Sequence, residues 1–274
     1  MSGLSNAQPQ PSGPRQIAVI IPAHNESGRI GATVRAALAI RAVTMVLVVD
    51  DGSTDATSQR AREAGAVVVR HSRNQGKSAA METGAAVVAM RDQPGTPPRG
   101  LLFIDADLEG SAAKTAALID PVLAGQADFT VAVLPRPDGA GGWGLVLGLA
   151  RRGIKAATGY TARAPLSGQR CLSREAFNRA TPLARGWGVE VAMTVDLLRQ
   201  GCIIEEIDCD LHHRPSGKSV RGTMHRAAQF RDVALALAAR GLRLAGASAR
   251  TGIKQTLGSP RPPRRPEATE ETGA

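Results

Sequence analysis

"GLLFIDADLEG", residues 100–110, decides how this chain is read. An apolar run of this length marks a buried strand. It stops at two aspartates, Asp105 and Asp107, one residue apart. Like charges held that close repel, and each loses hydration where the site is partly closed. A positive partner is therefore expected beside them. Oxygen ligands at this spacing suit Mg²⁺ or Mn²⁺, which keep waters and bind substrate phosphates as well.

Working outward, strands and helices alternate. "IAVII" (17–21) is a strand that stops at Pro22, and "SGRIGATVRAALAI" is a helix with Ser27 as its expected N-cap. "MVLVVD" is the second strand. "STDATSQRAREAG" is a helix capped near Ser53 or Thr54 and closed by Gly65. "AVVVR" is the third strand and "GKSAAMETGAAVVAM" the third helix. Beyond the paired acids, a helix over 111–123 and the strand "DFTVAVL" are expected. This order predicts an α/β fold with a mainly parallel sheet flanked by helices.

After Pro135 the pattern changes. A Gly-rich loop, "RPDGAGGWG", leads to a helix ending near Thr158. "PLSGQRCL" reads as a short strand, "REAFNRA" as a helix and "VEVAMTVDLLRQG" as an amphipathic helix. "CIIEEIDCDLHHR" alternates as an edge or antiparallel strand does. The loop "PSGKSVRG" and a long Arg-dotted helix over 223–247 follow. One globular unit over 16–250 is expected, between disordered tails at 1–15 and 251–274.

Composition narrows the function. The chain has 274 residues, 43% hydrophobic but only 3% aromatic, so the core must be built from Ala, Val, Leu and Ile. Cys171, Cys202 and Cys209 lack metal-ligand spacing and read as reduced core residues. The opening segment "MSGLSNAQPQPSGPRQ" has no apolar core and reads as a loose tail, not a signal peptide. No apolar run approaches the ~20 residues that cross a bilayer. A cytoplasmic protein is expected, with a peripheral contact on the inner face of the membrane and a homodimer both left open. The net charge of +10 points to an anionic partner such as a nucleotide, a phosphorylated substrate or acidic lipid. Nucleic acid is disfavoured, because one Tyr, two Trp and four Phe supply few stacking platforms.

In an open parallel sheet, ligands bind beyond the carboxyl ends of the strands. "PAHNE" (Pro22 to Glu26), "DDGSTD" (Asp50 to Asp55), "NQGKS" (Asn74 to Ser78) and "DAD" follow four successive strands. Each alone is an ordinary turn or cap; four in succession converge on one rim. Lys77 opens a helix, where the dipole and the amides favour an anion. Neither the P-loop pattern GxxxxGK[ST] nor a GxGxxG after the first strand is present, which disfavours a P-loop NTPase and an NAD enzyme.

"IIPAHNE", "VVDDGSTD", "NQGKSAAMETG" and "FIDADLE", in that order, resemble the GT-A glycosyltransferases of the family 2 type, over about residues 17–110. The resemblance implies the GT-A (nucleotide-diphospho-sugar transferase) fold, a UDP- or GDP-linked sugar donor and a divalent metal, Mg²⁺ or Mn²⁺. It implies that Pro22, Glu26 and Asp51 contact the nucleoside, Lys77 the nucleotide, and the Asp105–Asp107 pair the metal and diphosphate. The second half resembles two branches. Dolichol- and polyprenol-phosphate sugar synthases have similar elements around "SGQR" and "RPSGKS"; glucosyl-3-phosphoglycerate synthases have similar "PLSG" and "GWGVE" stretches and a late metal-binding His, here His213. The Arg-Val-Thr stretch by which the latter grip phosphoglycerate is absent from "GGWGLVLG". By resemblance Glu190 sits near the reacting sugar, as base toward the acceptor or as ligand of sugar hydroxyls; without it, Glu190 is an ordinary helix N-terminal acid. Arg170, Arg214, Lys218 and Arg221 are candidates for holding an acceptor phosphate. Polyprenyl phosphate is the favoured acceptor, with phosphoglycerate or another small phosphate second; the alternative from another class is a non-catalytic nucleotide-binding or membrane-docking protein on a GT-A scaffold, against which the intact Asp105–Asp107 pair and Lys77 argue.

Overall fold

The computed structural model describes residues 16–135, 144–211 and 227–241. Seven strands form one sheet: β1 (Ile17–Ala23), β2 (Val43–Asp50), β3 (Val67–Arg70), β4 (Gly100–Phe103), β5 (Phe129–Val133), β6 (Arg170–Leu172) and β7 (Ile204–Asp208). Their spatial order is β3-β2-β1-β4-β6-β5-β7. All neighbours pair in parallel except around β6, which runs antiparallel to both β4 and β5. The α/β expectation and the edge position of β7 are therefore met.

Register explains the rim. Ala23 pairs with Asp50 and Asp50 with Arg70, so the first three strands end in one row. β4 ends beside β1, with Phe103 opposite Ile20. Because β6 is antiparallel, its amino end lies at the same edge, with Arg170 opposite Phe103. Residues just before β6 thus reach the carboxyl end of β4.

Among the described residues the α-helices are α1 (Ile30–Leu38), α2 (Thr57–Glu63), α3 (Lys77–Ala89), α4 (Asp120–Leu123), α5 (Gly144–Thr158), α6 (Arg174–Ala180) and α7 (Val189–Arg199), and residues 227–241 are also helical. Ile17, Val19 and Ile21 pack on one sheet face with Ile30, Val34 and Leu118. Ala18 and Ile20 pack on the other with α3, α6 and α7. α3 approaches β1 closely: a Cβ at Gly84 would stand 2.5 Å from Ile20 Cγ2. Aliphatic and alanine side chains fill the core, as the composition requires, and Phe103 stacks on Phe177 with centroids 5.4 Å apart.

Three local expectations are corrected. Ser27 does not cap α1, which starts at Ile30 after Arg29; the Ser27 amide instead donates to Asp55. Ser53 and Thr54 do not cap α2, whose N-cap is Ala56, because both are engaged by Asn25 across the rim. The helix expected over 111–123 is a 3₁₀ stretch, Glu109–Leu118, followed by α4. The hydroxyls of Ser111 and Thr115 there donate to carbonyls three residues back, which goes with the tighter winding. The Arg-dotted helix is described only over 227–241.

Candidate active site

The loops after β1 and β2 are stitched together. Asn25 N donates to Ser53 Oγ at 2.9 Å, Glu26 N to Thr57 Oγ1 at 2.8 Å, and Thr54 N to Asn25 Oδ1 at 2.8 Å. Asn25 adopts φ 58° to make these bonds, a conformation that Asn tolerates better than most residues. Asp50 is buried, and its carboxylate accepts from Ser53 N and from Ser58 Oγ. Burial alone would push its carboxyl up; the Ser53 and Ser58 hydrogen bonds outweigh that and hold it below the usual range. Gly52 takes φ +73°, and a Cβ there would stand 2.7 Å from Arg73 C and Asn74 N. No other residue type permits the second loop to lie so close to the third.

Asp51 turns inward, 4% exposed. It accepts from His71 Nδ1 at 2.7 Å, Gln75 N at 2.8 Å and Gly76 N at 2.7 Å, and His71 Nε2 lies 2.9 Å from Thr83 Oγ1. Protein donors engage both of its oxygens, and the bonds from the Gln75 and Gly76 amides fix the loop that delivers Lys77 to the rim.

Lys77 answers the question of what stands beside the paired acids. Its ammonium lies 2.9 Å from Asp105 Oδ1 and 3.0 Å from Glu190 Oε1. Burial opposes the charge, but the two carboxylates overcome it and hold the lysine pKa above its ordinary value. Asp105 Oδ2 accepts from Gln169 Nε2 at 2.6 Å. Gly168 lies directly against the pair: a Cβ there would stand 2.5 Å from Lys77 Nζ and 2.9 Å from Asp105 Oδ1. Glu190, in the first turn of α7, is buried. One cation thus joins the third strand-end motif, the fourth, and the second half of the chain.

Asp107 is half-buried on the same rim. Its charge reaches Glu26: burial first, then the Asp107 and Asp55 charges, push the Glu26 carboxyl up against the pull of Arg29, whose Nη1 lies 2.6 Å away. Pro22, half-buried, pairs with Val49 one residue before β1 ends at Ala23, so the strand runs past the proline at which it was expected to stop. Among the described residues no group of three or more His, Cys, Asp and Glu side chains is arranged to hold a metal. The donor set still fits Mg²⁺ or Mn²⁺, because these ions need only one or two carboxylates when substrate phosphates and waters complete the shell. Asp107 and Asp105 supply all-oxygen ligands of that kind.

Arg170 is corrected as well. It is 1% exposed and does not face an acceptor: Nε donates to Ser167 O at 2.8 Å, Nη1 to Thr194 Oγ1 at 2.9 Å and Nη2 to Pro165 O at 3.2 Å. Thr194 Oγ1 donates in turn to Glu190 O at 2.9 Å. Arg170 therefore braces the Gly168–Gln169 segment and α7 from behind. Burial lowers its pKa to about 10, with the charges of Glu190 and Glu206 pulling the other way. His213, Arg214, Lys218 and Arg221 lie outside the described residues. Gly168 and Gln169 were not singled out as site residues from the sequence; the "SGQR" resemblance carried them, but nothing in it gave Asp105 as their partner.

The sequence profile described as Glycosyl transferase family 2 matches residues 18–178. Glycosyltransferase AglJ of Haloferax volcanii is 28% identical over 212 residues, 74% of this chain and 65% of its own length. The chain thus spans less than two thirds of that curated relative. Glucosyl-3-phosphoglycerate synthase of Mycobacterium tuberculosis, solved with Mn²⁺, UDP and phosphoglyceric acid, is similar at 26% identity and TM-score 0.68, over 82% of this chain and 78% of that one. The same enzyme solved with Mg²⁺ and UDP is similar at 25% identity and TM-score 0.66, over 82% and 79%. The sheet order, the four strand-end motifs and a family match over more than half of its length place this chain, with a GT-A fold, in glycosyl transferase family 2.

Proposed function

We propose that the chain moves a sugar from a UDP- or GDP-linked donor to an acceptor that carries a phosphate. The observation that carries this reading is the Asp105–Lys77–Glu190 cluster at the strand-end rim, with Asp107 beside it. Asp107 and Asp105 would hold Mg²⁺ or Mn²⁺, which offsets charge on the leaving diphosphate. The M. tuberculosis enzyme solved with Mn²⁺ and UDP supports that assignment. Lys77 donates to diphosphate oxygens in exchange for one of its carboxylates. Pro22 and Glu26 line the nucleoside end. Gln169 and Gly168 keep Asp105 in place while Lys77 changes partners.

The acceptor we favour is a lipid phosphate of the polyprenyl type. The phosphate oxygen of such an acceptor is largely ionised at neutral pH, with a second pKa of about 6, so it attacks without a general base. Glu190, already engaged by Lys77, then serves as a ligand of sugar hydroxyls. Support comes from the 227–241 helix. It buries Val233 and Ala236 but leaves Phe230 and Leu235 exposed, the latter by 61%. The turn bearing exposed Trp187 is tied to it through Asp232, and Leu145, 80% exposed, lies in the first turn of α5. Apolar side chains on a basic protein suit the headgroup layer of an anionic membrane. The second reading, a small soluble phosphate, draws on the M. tuberculosis enzyme solved with phosphoglyceric acid. A hydroxyl acceptor of that sort needs a base, and Glu190 would be it.

The test is transfer assayed with Mn²⁺ against both acceptor types, in parallel with pelleting on liposomes containing anionic lipid. The lipid reading expects salt-reversible pelleting and sugar on an extractable lipid phosphate. It also expects Glu190→Gln to cost less than the roughly 10²-fold of a lost general base. Transfer only to a water-soluble phosphate, without liposome binding, gives the acceptor to the second reading.

A further inference from the structure

We propose that Thr33 is the positioning residue that sets the Asp107 carboxylate on the rim, an inference that rests on Asp107 as a ligand of the divalent ion. Thr33 lies on the buried face of α1 with Ile30, Val34 and Ala37, and is itself 0% exposed. A hydroxyl so placed must find its partners inside the protein. It finds them in one turn: Thr33 Oγ1 donates to Ala106 O at 2.8 Å and accepts from Glu109 N at 2.8 Å. A weaker approach to Arg29 O, at 3.4 Å, is the usual back-bond to the preceding helical turn.

Those two backbone groups bracket Asp107. The side chains of Ala106 and Leu108 on either side of it are buried, so Asp107 is the one member of the turn presented between two anchors. The turn is also under strain. Glu109 takes φ 49°, in the left-handed region that residues other than glycine avoid. A strained turn keeps its shape only where neighbours over-determine it, and the Thr33 hydroxyl supplies a bond on each side of the carboxylate. Asp105 needs no such help, because Lys77 and Gln169 hold its oxygens directly. Behind the rim, a buried hydroxyl thus fixes the backbone on both sides of Asp107.

Thr33→Val keeps the side-chain shape and removes both bonds. Groups that orient a metal ligand typically change metal affinity by about 10- to 100-fold. The experiment titrates UDP binding, with GDP as the second probe, across a Mn²⁺ series and in EDTA, for wild type, Thr33→Val, Thr33→Ser and Asp107→Ala, with a thermal melt of each. Thr33→Val is expected to raise the half-saturating Mn²⁺ concentration about tenfold or more, with nucleotide affinity in EDTA within about twofold of wild type. Thr33→Ser should stay within about threefold throughout. Thr33→Ala serves as the second variant should valine fail to fold. An unchanged Mn²⁺ dependence in a folded Val or Ala variant, when Asp107→Ala changes it, overturns the role of Thr33. So does failure of both variants to fold, which makes Thr33 a folding residue. An Asp107→Ala protein that binds nucleotide in Mn²⁺ as wild type does removes the metal reading beneath the proposal.

Discussion

The two halves of the rim reach the same place by different means. Over residues 22–76 the polar groups hold one another: Asn25, Ser53, Asp55 and Thr57 join two loops, and Asp51 fixes the next. Over 165–199 the groups arrive by packing. β6 inserts antiparallel between β4 and β5, which carries Gly168 and Gln169 to Asp105, and α7 is held where Glu190 meets Lys77. The lesson is that motif-like segments make a surface, while a second, non-local layer selects which of its charges are paired. Lys77 is the joint between the two.

Breaking the joint should have the largest effect. Lys77→Met leaves Asp105 and Glu190 without their shared cation and removes a donor to the diphosphate. Turnover should fall by about 10²- to 10³-fold, the range for losing one preorganised donor, and steady-state transfer assays read it. A variant with near-wild-type turnover would separate the halves functionally. Next comes the brace. Arg170→Met empties three hydrogen bonds behind the second half and should lower stability by about 2–4 kcal/mol, measured by urea unfolding. Arg170→Lys should recover only part, because one ammonium cannot reproduce the three directions of the guanidinium. A fully stable Arg170→Met protein would show that the second half holds its geometry without the brace.

Gly168→Ala tests the contact more gently. Its Cβ would fall on Lys77 Nζ and the Asp105 carboxylate, both side-chain ends that are able to shift. About a tenfold loss in kcat/KM with little change in Tm is expected, a displacement of charges at about 1.4 kcal/mol per decade. The smallest effect belongs to the first half. Asp55 is held down to about 2: burial raises it, but hydrogen bonds from Thr57 and the Ser27 amide win. A folded pKa below the unfolded value stabilises the protein above about pH 4. That contribution is lost as pH falls from about 4 toward 2. The Tm gap between wild type and Asp55→Asn should therefore be present at pH 7 and close near pH 2–3.

How much could be read from the sequence follows the same division. The strands, their alternation and the rim acids were legible because strand ends and local turns leave a pattern in adjacent residues. Asp105 as half of a pair was legible; its partner Gln169 was not, because only the Phe103–Arg170 register brings them together. Arg170 looked like a phosphate ligand because an arginine in "SGQR" carries no sign of its burial. α7 looked amphipathic, yet Val189, Met193 and Leu197 pack on the sheet while Val191 and Val195 pack on α5 and the 227–241 helix. A helix buried on two sides has no wet face for periodicity to reveal. Thr33 was hidden for the converse reason: one hydroxyl on an apolar stripe reads as a tolerated core residue.

In the proposed function this rim binds a nucleotide sugar through Asp107 and Lys77. That binding is tested most directly by released nucleotide from a panel of UDP- and GDP-sugars, with Mn²⁺ or EDTA, for wild type, Asp107→Ala and Lys77→Met. Release from at least one donor is expected in Mn²⁺, abolished by EDTA and by either substitution. Release that persists in EDTA and in Asp107→Ala, or no binding and no release from any donor in Mn²⁺, would contradict it.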